Sequence, residues 1–400
     1  MLKKRSDAER QIAELLQTAR TSLGMSVAFL TRMDGTTQTL EVVESPLPGA
    51  LTDGITQPQE TTFCQAIIDG RLPSVIPDVR RYPLAMKLPA ARIPRIRSWV
   101  SAPVRLSDGQ LYGTFCAFGF TADPELTVRD GALMEVLASA ASVILEPGVR
   151  NDERHTAIRG RLAPVIALGG PDVVVQPIVD LATGRRVGAE ALSRFPAEWG
   201  TAPDAVFAEA HEIGVGDLLE VLALRRAAEL LDQLPGYVSM NVSAGTLLTP
   251  DCLRLLYSLP LHRVVLELSE HDQVDDYDAL KAALVPLRAA GMRLAIDDVG
   301  AGFSSLRHIV VTSPDVIKID RSIVTGLDTD PVLTRLVHSL VDFAHGVGVR
   351  VVAEGVETAA EQALLLELGV DDGQGWHLGR PGPAALLADA RPAAAEPITA

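Results

Sequence analysis

The 400-residue chain has little cysteine, a deficit of positive charge and no long apolar run, and each shortage argues against a class of protein. Its three cysteines, Cys64, Cys116 and Cys252, are an odd number without CxxC spacing, which favours small buried thiols over a disulfide framework or a zinc site. The formal net charge of −15 disfavours a sequence-independent nucleic-acid binder, because such a protein needs a basic surface to displace counterions. An anionic ligand would therefore need metal ions or local arginines at its site.

Signals for a membrane or for secretion are also missing. No stretch approaches the roughly 18 uncharged apolar residues of a membrane span. The opening MLKKRSDAERQIAELL turns polar and helical where a signal peptide would need an apolar core. We therefore expect a cytoplasmic protein without a membrane partner. A hydrophobic content of 47% with 22% charged residues is typical of a folded globular chain, and the length of 400 residues predicts two domains.

The N-terminal part follows the order helix, antiparallel sheet, helix. Residues 6–22 carry apolar residues at helical spacing, and Gly24 ends the pattern. Strand-like runs follow, and the segment SDGQ between the last two predicts a hairpin. Residues 129–145 form a second helical pattern that ends at Pro147, and the polar GVRNDERH after it predicts a linker. The pattern predicts a first domain with flanking helices over residues 1–150.

From about residue 170 the rhythm changes to eight strand-like runs, most of them separated by helical patterns. The runs are VVVQPIVDL, RVGAEALSRF, YVSMNVS, RVVLELSE, RLAIDDVG, VIKIDRSIV, RVVAEGVE and DGQGWHLGR. This order predicts an α/β fold of the (β/α)8 TIM-barrel class over about 230 residues. Because only ATGR joins the first two runs, we expect them to be antiparallel neighbours, which makes the barrel a variant. The Ala- and Pro-rich tail, residues 384–400, is expected to be disordered.

Acidic side chains follow these runs, at the end where barrel enzymes build their sites. Taken singly, such an acid is more often a helix cap or a turn residue. If the fourth to seventh strands each point one residue inward, however, one pocket collects Glu267, Asp297, Lys318 and Glu354. Acids gathered this closely repel one another, so they are tolerated only if they are protonated or bound to a metal. Because the chain has no pair of histidines at metal spacing, these oxygen ligands favour Mg²⁺ or Mn²⁺ over zinc.

The adjacent acids Asp297 and Asp298 lead into the loop GAGFSS, which we expect to form a mobile lid. Each carboxylate can serve a metal, or the pair can bridge two metals. Two close metals are the usual apparatus for the attack of water on a phosphodiester. Lys318 is placed to hold or deprotonate this water if metal charge and burial lower its pKa. The alternative for Lys318 is a salt bridge to Asp320.

Motifs in a fixed order then point to a family. EALSRF, NVS, LELSE, DDVGAGFSSL, IKID, AEGVE and DGQGWHLGRP resemble the EAL-domain cyclic di-GMP phosphodiesterases, with Glu190, Ala191 and Leu192 as the signature tripeptide. The resemblance covers about residues 155–383, which we interpret as an EAL phosphodiesterase domain. It implies hydrolysis of one phosphodiester bond in cyclic di-GMP to give linear 5′-pGpG, with two Mg²⁺ or Mn²⁺ ions per site.

The resemblance also implies roles for individual residues. The implied metal ligands are Glu190, Asn241, Glu267, Asp297, Asp298 and Glu354. The implied catalytic residues are Lys318, which activates or positions the attacking water, Glu190, Glu354 and Gln374, which lies near the water or the substrate.

The remaining matched positions concern the substrate and the loop. Gln176 and Arg194 match positions that contact guanine and phosphate respectively, and Asp320 is expected at the substrate as well. Arg194 also suits phosphate on chemical grounds, because a guanidinium fork matches phosphate oxygens. Glu270 matches the glutamate that steadies the loop after Asp298.

The motifs depart only mildly from the family forms: LSRF stands where LLRW is common, DDVG for DDFG, and GWHLGRP for GYLFGRP. None of these departures removes a ligand or the lysine. Many relatives that lost such residues persist as binding modules, so a complete set favours a catalyst. Two alternatives stay open, namely an inactive receptor that holds cyclic di-GMP, and a metal-dependent barrel enzyme that acts on a phosphorylated metabolite.

Residues 18–145 resemble a GAF domain, chiefly through TTFCQAIIDGRLPSVIPDV and the hairpin APVRLSDGQLYGTFC. The resemblance implies a sensor that binds an unknown small molecule in a cup over the sheet, or that dimerises. Because every histidine lies at or beyond His155, a histidine-ligated haem in this domain is excluded. We expect a homodimer in which the terminal helices pair, and regulation of the barrel by this domain.

Overall fold

The computed structural model describes residues 5–46, 51–91, 96–269, 274, 276–300 and 305–388. By its contacts the chain divides into two compact units, Met1–Arg154 and His155–Ala400.

The first unit is built on an antiparallel sheet with the strand order β3-β2-β1-β6-β5-β4. Its helices and strands are α1 (Asp7–Ser22), β1 (Val27–Met33), β2 (Thr37–Glu44), β3 (Thr56–Pro58), α2 (Phe63–Ile68), β4 (Val75–Ile76), β5 (Ser98–Arg105), β6 (Leu111–Gly119) and the start of α3 (Val128–Ala167). Short 3₁₀ turns lie at Gln59–Thr61, Val79–Arg81, Ala85–Lys87 and Pro89–Ala91. The predicted hairpin joins β5 and β6, whose last paired residues are Arg105 and Leu111.

Alternation along the strands gives this sheet two buried faces. On one face, Leu30 and Phe115 pack with Ile12 and Leu16 of α1. On the other face, Phe29, Trp99, Cys116 and Phe118 pack with Phe63 of α2. Successive strand residues point to opposite faces, so β1 divides Phe29 and Leu30 between the two cores. A capping box fixes the start of α1, because the Ser6 side chain accepts from Glu9 N and the Glu9 carboxylate accepts from Ser6 N.

Helix α3 corrects the predicted linker after Pro147. The helix runs for 40 residues, from Val128 to Ala167, and includes both Pro147 and the GVRNDERH segment. Proline removes one backbone donor and crowds the preceding turn, which is why the sequence favoured a break. Burial on both sides of the proline outweighs that cost: Met134 is buried in the first unit, and Leu162 is buried in a cluster of the second.

By length and composition alone, α3 is also the one helix of the described residues that is apolar enough to cross a membrane, which the sequence analysis did not anticipate. A single helix of this kind is weak evidence for a membrane span, because core helices pass the same test. Met134, Ala138 and Ala141 of α3 are buried in the core of the first unit.

In the second unit eight strands of the described residues close into a barrel, in the order β10-β11-β12-β13-β14-β7-β8-β9. They are β7 (Asp172–Asp180), β8 (Arg186–Arg194), β9 (Tyr237–Asn241), β10 (Val264–Ser269), β11 (Arg293–Val299), β12 (Val316–Ile319), β13 (Arg350–Ala353) and β14 (Asp372–Gly373). Strand β7 is antiparallel to both β8 and β14, and the pairings from β8 round to β14 are parallel. The predicted barrel with an antiparallel first strand is therefore confirmed.

Helices connect these strands. They are α4 (Pro203–Glu212), α5 (Gly216–Ala228), α6 (Ala244–Leu247), α7 (Pro250–Tyr257), α8 (Tyr277–Ala289), α9 (Ser305–Thr312), α10 (Arg321–Val324), α11 (Pro331–Gly346), α12 (Ala359–Glu367) and α13 (Ala385–Ala388). Short 3₁₀ turns lie at Ala197–Trp199 and Leu261–Arg263. The helix at Ala385–Ala388 corrects the start of the predicted disordered tail, and residues 389–400 of that tail lie outside the described residues.

The strand period places the functional residues. A buried apolar cluster includes Val265, Ala295, Val316 and Val352, one from each of four adjacent strands. Two positions further along the chain come Glu267, Asp297 and Lys318, which lie on their strands, and Glu354, which directly follows β13. Residues two apart share one face of a strand, so the same alternation that fills this cluster carries a layer of charged groups directly beyond it.

Candidate active site

Lys318 is the centre of the charged layer. Its Nζ lies 2.6 Å from a carboxylate oxygen of Glu354, 3.0 Å from Glu267, 3.2 Å from Asp297 and 3.4 Å from Glu190. The lysine side chain is only 2% exposed. Its ion pairs in the described part of the chain are with these four acids, so the alternative salt bridge to Asp320 is wrong.

Burial and mutual repulsion set the proton affinities of this cluster. Burial acts to lower the pKa of Lys318, but the four surrounding carboxylates raise it well above the usual value, so the group is an ammonium here. Burial raises the pKa of Glu354 to about 8, and it raises the pKa of Glu267 well above its usual range with help from the Glu190 charge. The predicted use of Lys318 as a base depends on metal charge that lowers its pKa, and it stays a prediction.

Glu190 differs from the other acids because two side-chain amides donate hydrogen bonds to its carboxylate. Asn241 Nδ2 donates to Glu190 Oε1 over 2.9 Å, and Gln374 Nε2 donates to Glu190 Oε2 over 2.6 Å. Burial acts to raise the pKa of Glu190, but the charge of Lys318 and these two hydrogen bonds keep the pKa below its usual value. The site therefore contains one carboxylate held ionised, next to others that favour a proton.

A buried amide chain continues behind Glu190. Gln374 Nε2 also donates to Gln176 Oε1 over 3.1 Å, and Gln176 Nε2 donates to the carbonyl of Gly379 over 3.0 Å. Gln374 Oε1 is buried and has no hydrogen-bond partner among the described residues. The structure thus places Gln176 behind Gln374, and its predicted contact with guanine stays a prediction.

The adjacent acids Asp297 and Asp298 reach the same place because the strand is irregular. Regular strands send neighbouring side chains to opposite faces. Here the pairing of β11 with β12 shifts between Ile296 and Val299, and Asp298 takes a φ of 59°. Both aspartates then line one cavity. A left-handed conformation is uncommon for a residue other than glycine, and such conformations occur where a function fixes the backbone.

The other predicted substrate residues, Arg194 and Asp320, have different surroundings. Arg194 ends β8 and lines the cavity next to the acids, as a phosphate contact requires. Asp320 caps helix α10, since its carboxylate accepts from Ser322 N over 2.9 Å, and its role at the substrate stays a prediction. Glu270 and residues 301–304 of the predicted lid lie outside the described residues.

The cavity has a volume of about 710 Å³ and is walled on one side by α4 and α5. Phe207 and His211 of α4 line this wall, where the sequence gave no signal. His211 Nε2 is hydrogen-bonded to Glu220, and the second carboxylate oxygen of Glu220 accepts from Ser243 N over 2.8 Å. Glu220 therefore fixes the start of the loop that follows Asn241.

Ser239 is a further residue of the site, and no motif of the sequence indicated it. Its buried hydroxyl donates to Glu267 Oε1, while Glu267 Oε2 faces Lys318. The strand period held the signal, because Ser239 lies two residues before Asn241 on the same face of β9.

Within the described ranges, two groups of acids have carboxylate oxygens close enough to hold a cation. Glu190, Glu267 and Asp297 form one group, and Asp297, Asp298 and Glu354 form the other, each with its oxygens within 4.8 Å of one another. Asp297 belongs to both groups, so it can bridge two ions. An all-oxygen donor set of this kind fits a hard divalent cation.

Family models match both parts of the chain. The family model described as EAL domain matches residues 163–381, and the model described as GAF domain matches residues 6–146. Two relatives from Escherichia coli K12 are named probable cyclic di-GMP phosphodiesterases. PdeB is 32% identical over 225 residues, which cover 52% of this chain and 43% of PdeB, and PdeN is 34% identical over 230 residues, which cover 53% of this chain and 43% of PdeN. This chain thus matches less than half of the length of either relative.

Among solved structures, the PaMucR phosphodiesterase in complex with c-di-GMP resembles this chain with 29% sequence identity and a TM-score of 0.50. The similarity covers 58% of this chain and 99% of that one.

Proposed function

This chain belongs to the EAL domain family, and on that premise we propose that it is a metal-dependent phosphodiesterase that hydrolyses one ester bond of cyclic di-GMP to give linear 5′-pGpG. The observation that carries the proposal is the single cluster in which Glu190, Glu267, Asp297 and Glu354 surround Lys318. Relatives named as probable cyclic di-GMP phosphodiesterases and a related structure with c-di-GMP bound support the choice of substrate.

The donor set suits Mg²⁺ or Mn²⁺, and we propose two ions per site. Glu190, Glu267, Asp297, Asp298 and Glu354 would hold them, together with the amide oxygen of Asn241. A bound pair of such ions supplies an activated water and neutralises the charge that develops on the departing oxygen. Glu267 and Glu354 favour a proton without metal and would have to lose it to serve as ligands, because a carboxylate binds a cation in its ionised form.

The protein's own groups orient the reaction. Lys318 lies among the carboxylates that would hold the ions, and its ammonium donors are directed at them, so it is placed to position an attacking water or to stabilise negative charge. Gln374 presents a buried oxygen without a partner among the described residues, which suits it to accept a hydrogen bond from the water. Arg194, at the cavity wall, is suited to hold a phosphate of the substrate.

The first domain supports a regulatory proposal. The GAF domain model matches residues 6–146, ahead of the barrel. We propose that this domain senses a small molecule and that the protein is a cytoplasmic homodimer. Comparing hydrolysis by the whole chain with hydrolysis by residues 155–400 tests whether the first domain changes the rate.

A direct assay tests the central proposal. The whole chain is incubated with cyclic di-GMP and Mn²⁺ or Mg²⁺, and the nucleotides are separated by chromatography. We expect 5′-pGpG to appear and Glu190→Gln to reduce its formation by at least about 100-fold, because changes to residues that only support metal ligands already cost about 10–100-fold. Glu198→Gln, which alters an exposed glutamate, is the matched control. Tight binding of unaltered cyclic di-GMP by the wild-type chain would instead indicate a receptor.

A further inference from the structure

Two of the cysteines meet in the core of the first domain. Cys64 of α2 and Cys116 of β6 are 52 positions apart in the chain, yet their sulfur atoms lie 3.5 Å from each other. Both side chains are buried, and both are free thiols. A disulfide bond has a length of about 2.05 Å, so the sulfurs need to approach by roughly 1.5 Å to form one.

The surroundings of the pair are polar, which a packing role does not require. Cys116 Sγ lies 3.1 Å from Thr114 Oγ1 and 3.2 Å from Ser101 Oγ, and Thr114 Oγ1 lies 2.8 Å from Thr31 Oγ1. All three hydroxyl residues are at most 1% exposed. A buried hydroxyl beside a thiol can donate a hydrogen bond to the sulfur or accept one from the S–H group. These hydroxyls can therefore support the transfer of a proton to or from the two thiols.

The two thiols are not equivalent. Burial acts to raise the pKa of Cys64, but hydrogen bonds from Cys116, Thr114 and Gln38 lower it below its usual value. Burial raises the pKa of Cys116 well above its usual value, and the contact with Cys64 adds to the rise. These hydrogen bonds favour a negative charge on Cys64 over one on Cys116.

Cys64 is also reachable from a cavity. It lines a cavity of about 250 Å³ together with Phe63, Gln38 and Trp99. Gln38 Oε1 and Trp99 Nε1 are buried and have no hydrogen-bond partner among the residues that the structure describes. One is an acceptor and the other a donor, so a very small molecule that both donates and accepts hydrogen bonds suits this cavity. The volume is several times the roughly 30 Å³ that one water molecule occupies in the liquid.

We infer that hydrogen peroxide oxidises Cys64 and Cys116 of the first domain to a disulfide. The Cys64 thiolate attacks one oxygen of hydrogen peroxide, which breaks the O–O bond, leaves a sulfenic acid on Cys64 and releases hydroxide. The hydroxide becomes water by taking up the proton that Cys64 lost. Cys116 then gives its proton to the sulfenic oxygen and attacks the Cys64 sulfur, so that the S–O bond breaks, a disulfide forms and the oxygen leaves as the second water. In total, two thiols are oxidised, one peroxide is reduced, and two waters are formed. The inference concerns the first domain alone and does not depend on the proposed phosphodiesterase activity.

Mass spectrometry tests the inference on the whole chain. The folded protein is treated with hydrogen peroxide, the remaining thiols are alkylated under denaturing conditions, and the intact mass and a peptide map without reductant are recorded. We expect the wild-type chain to lose two hydrogen atoms, to take up one alkyl group where the unoxidised chain takes up three, and to yield one cross-linked peptide pair that contains Cys64 and Cys116. Cys252→Ser, which removes the buried thiol of the barrel domain, is the matched control and is expected to behave like the wild type.

Two variants separate the steps. In Cys116→Ser the sulfenic acid on Cys64 has no partner, so a cyclic 1,3-diketone reagent is expected to trap it, whereas Cys64→Ser is expected to give neither the cross-link nor the adduct. Circular dichroism before and after oxidation checks that the chain stays folded. The inference is overturned if folded wild-type protein forms no Cys64–Cys116 cross-link, or if the cross-link appears only after unfolding.

Discussion

Replacing Lys318 with methionine tests the electrostatic account of the barrel site most directly. Methionine keeps most of the volume of the lysine stem but removes the ammonium that four carboxylates share. Without metal ions, the variant leaves those acids buried with no opposite charge among them. They must then stay ionised against mutual repulsion or take up protons, and both cost stability at neutral to alkaline pH.

The size of the effect follows from the burial of the pair. Removing one partner of a buried ion pair costs about 3–5 kcal/mol of unfolding free energy. For a domain of this size, 1 kcal/mol corresponds to about 2–4 °C in the unfolding midpoint, so Lys318→Met is expected to lower the midpoint of the metal-free barrel by about 6–20 °C. The loss is expected to shrink towards acid pH, because protonation then relieves the repulsion.

Thermal unfolding near pH 8 provides the assay, with one sample stripped by a chelator and one supplied with Mn²⁺. Lys281→Met, which alters an exposed lysine on α8, is the control. Mn²⁺ is expected to restore the Lys318→Met variant more than it stabilises the wild type, because the ion no longer competes with an ammonium. The reasoning is refuted if the stripped variant unfolds at the wild-type temperature, or if Mn²⁺ stabilises it no more than the control.

Other predictions concern single groups around the site. Burial raises the pKa of Glu354 from 4.5 to about 8, so between these pH values the folded protein holds a proton that the unfolded chain releases. The unfolding free energy of the metal-free protein is therefore expected to fall between about pH 4.5 and pH 8. Denaturant unfolding at several pH values checks this, and a rise over that range would contradict it. Ser239→Ala removes the hydroxyl that orients Glu267 and is expected to weaken Mn²⁺ binding by about 10–100-fold in a calorimetric titration, whereas an unchanged affinity would exclude a positioning role. Asp298→Asn is expected to keep the stability of the stripped protein, because Asn tolerates the φ of 59°, while Asp298→Val is expected to lose about 1–2 kcal/mol; equal unfolding midpoints for the two variants would contradict this.

The sequence was most informative where strand period and chemistry coincide. Apolar runs that end in acids predicted the barrel, and the short ATGR connection predicted its antiparallel first strand, as observed. The same period brought Glu267, Asp297, Lys318 and Glu354 into one layer, so their joint position could be predicted before any contact was known.

The sequence was least informative where distant residues or local breakers decide the structure. The continuation of α3 through Pro147 depends on burial at both ends of the helix, which a local pattern does not show. Nor does spacing reveal that Cys64 meets Cys116, because a helix and a strand far apart in the chain bring them together. The protonated state of Lys318 follows from four neighbours on other strands, so the expectation of a lowered pKa could not be tested from the sequence.

The barrel wall has its fewest residue pairs at the last strand, β14, which pairs through two residues with β13 on one side and with β7 on the other. There β14 meets β7 through two residue pairs, and the amide of Gln374 reaches across to Gln176 on β7 and Glu190 on β8. A sheet opens most readily where the fewest residues pair. We therefore expect backbone amides of Asp372 and Gly373 to exchange with solvent sooner than those of the neighbouring strands. Glu190 accepts a hydrogen bond from Gln374 across this join. A ligand that binds the Glu190 carboxylate is therefore expected to reduce the backbone motion of the whole barrel wall.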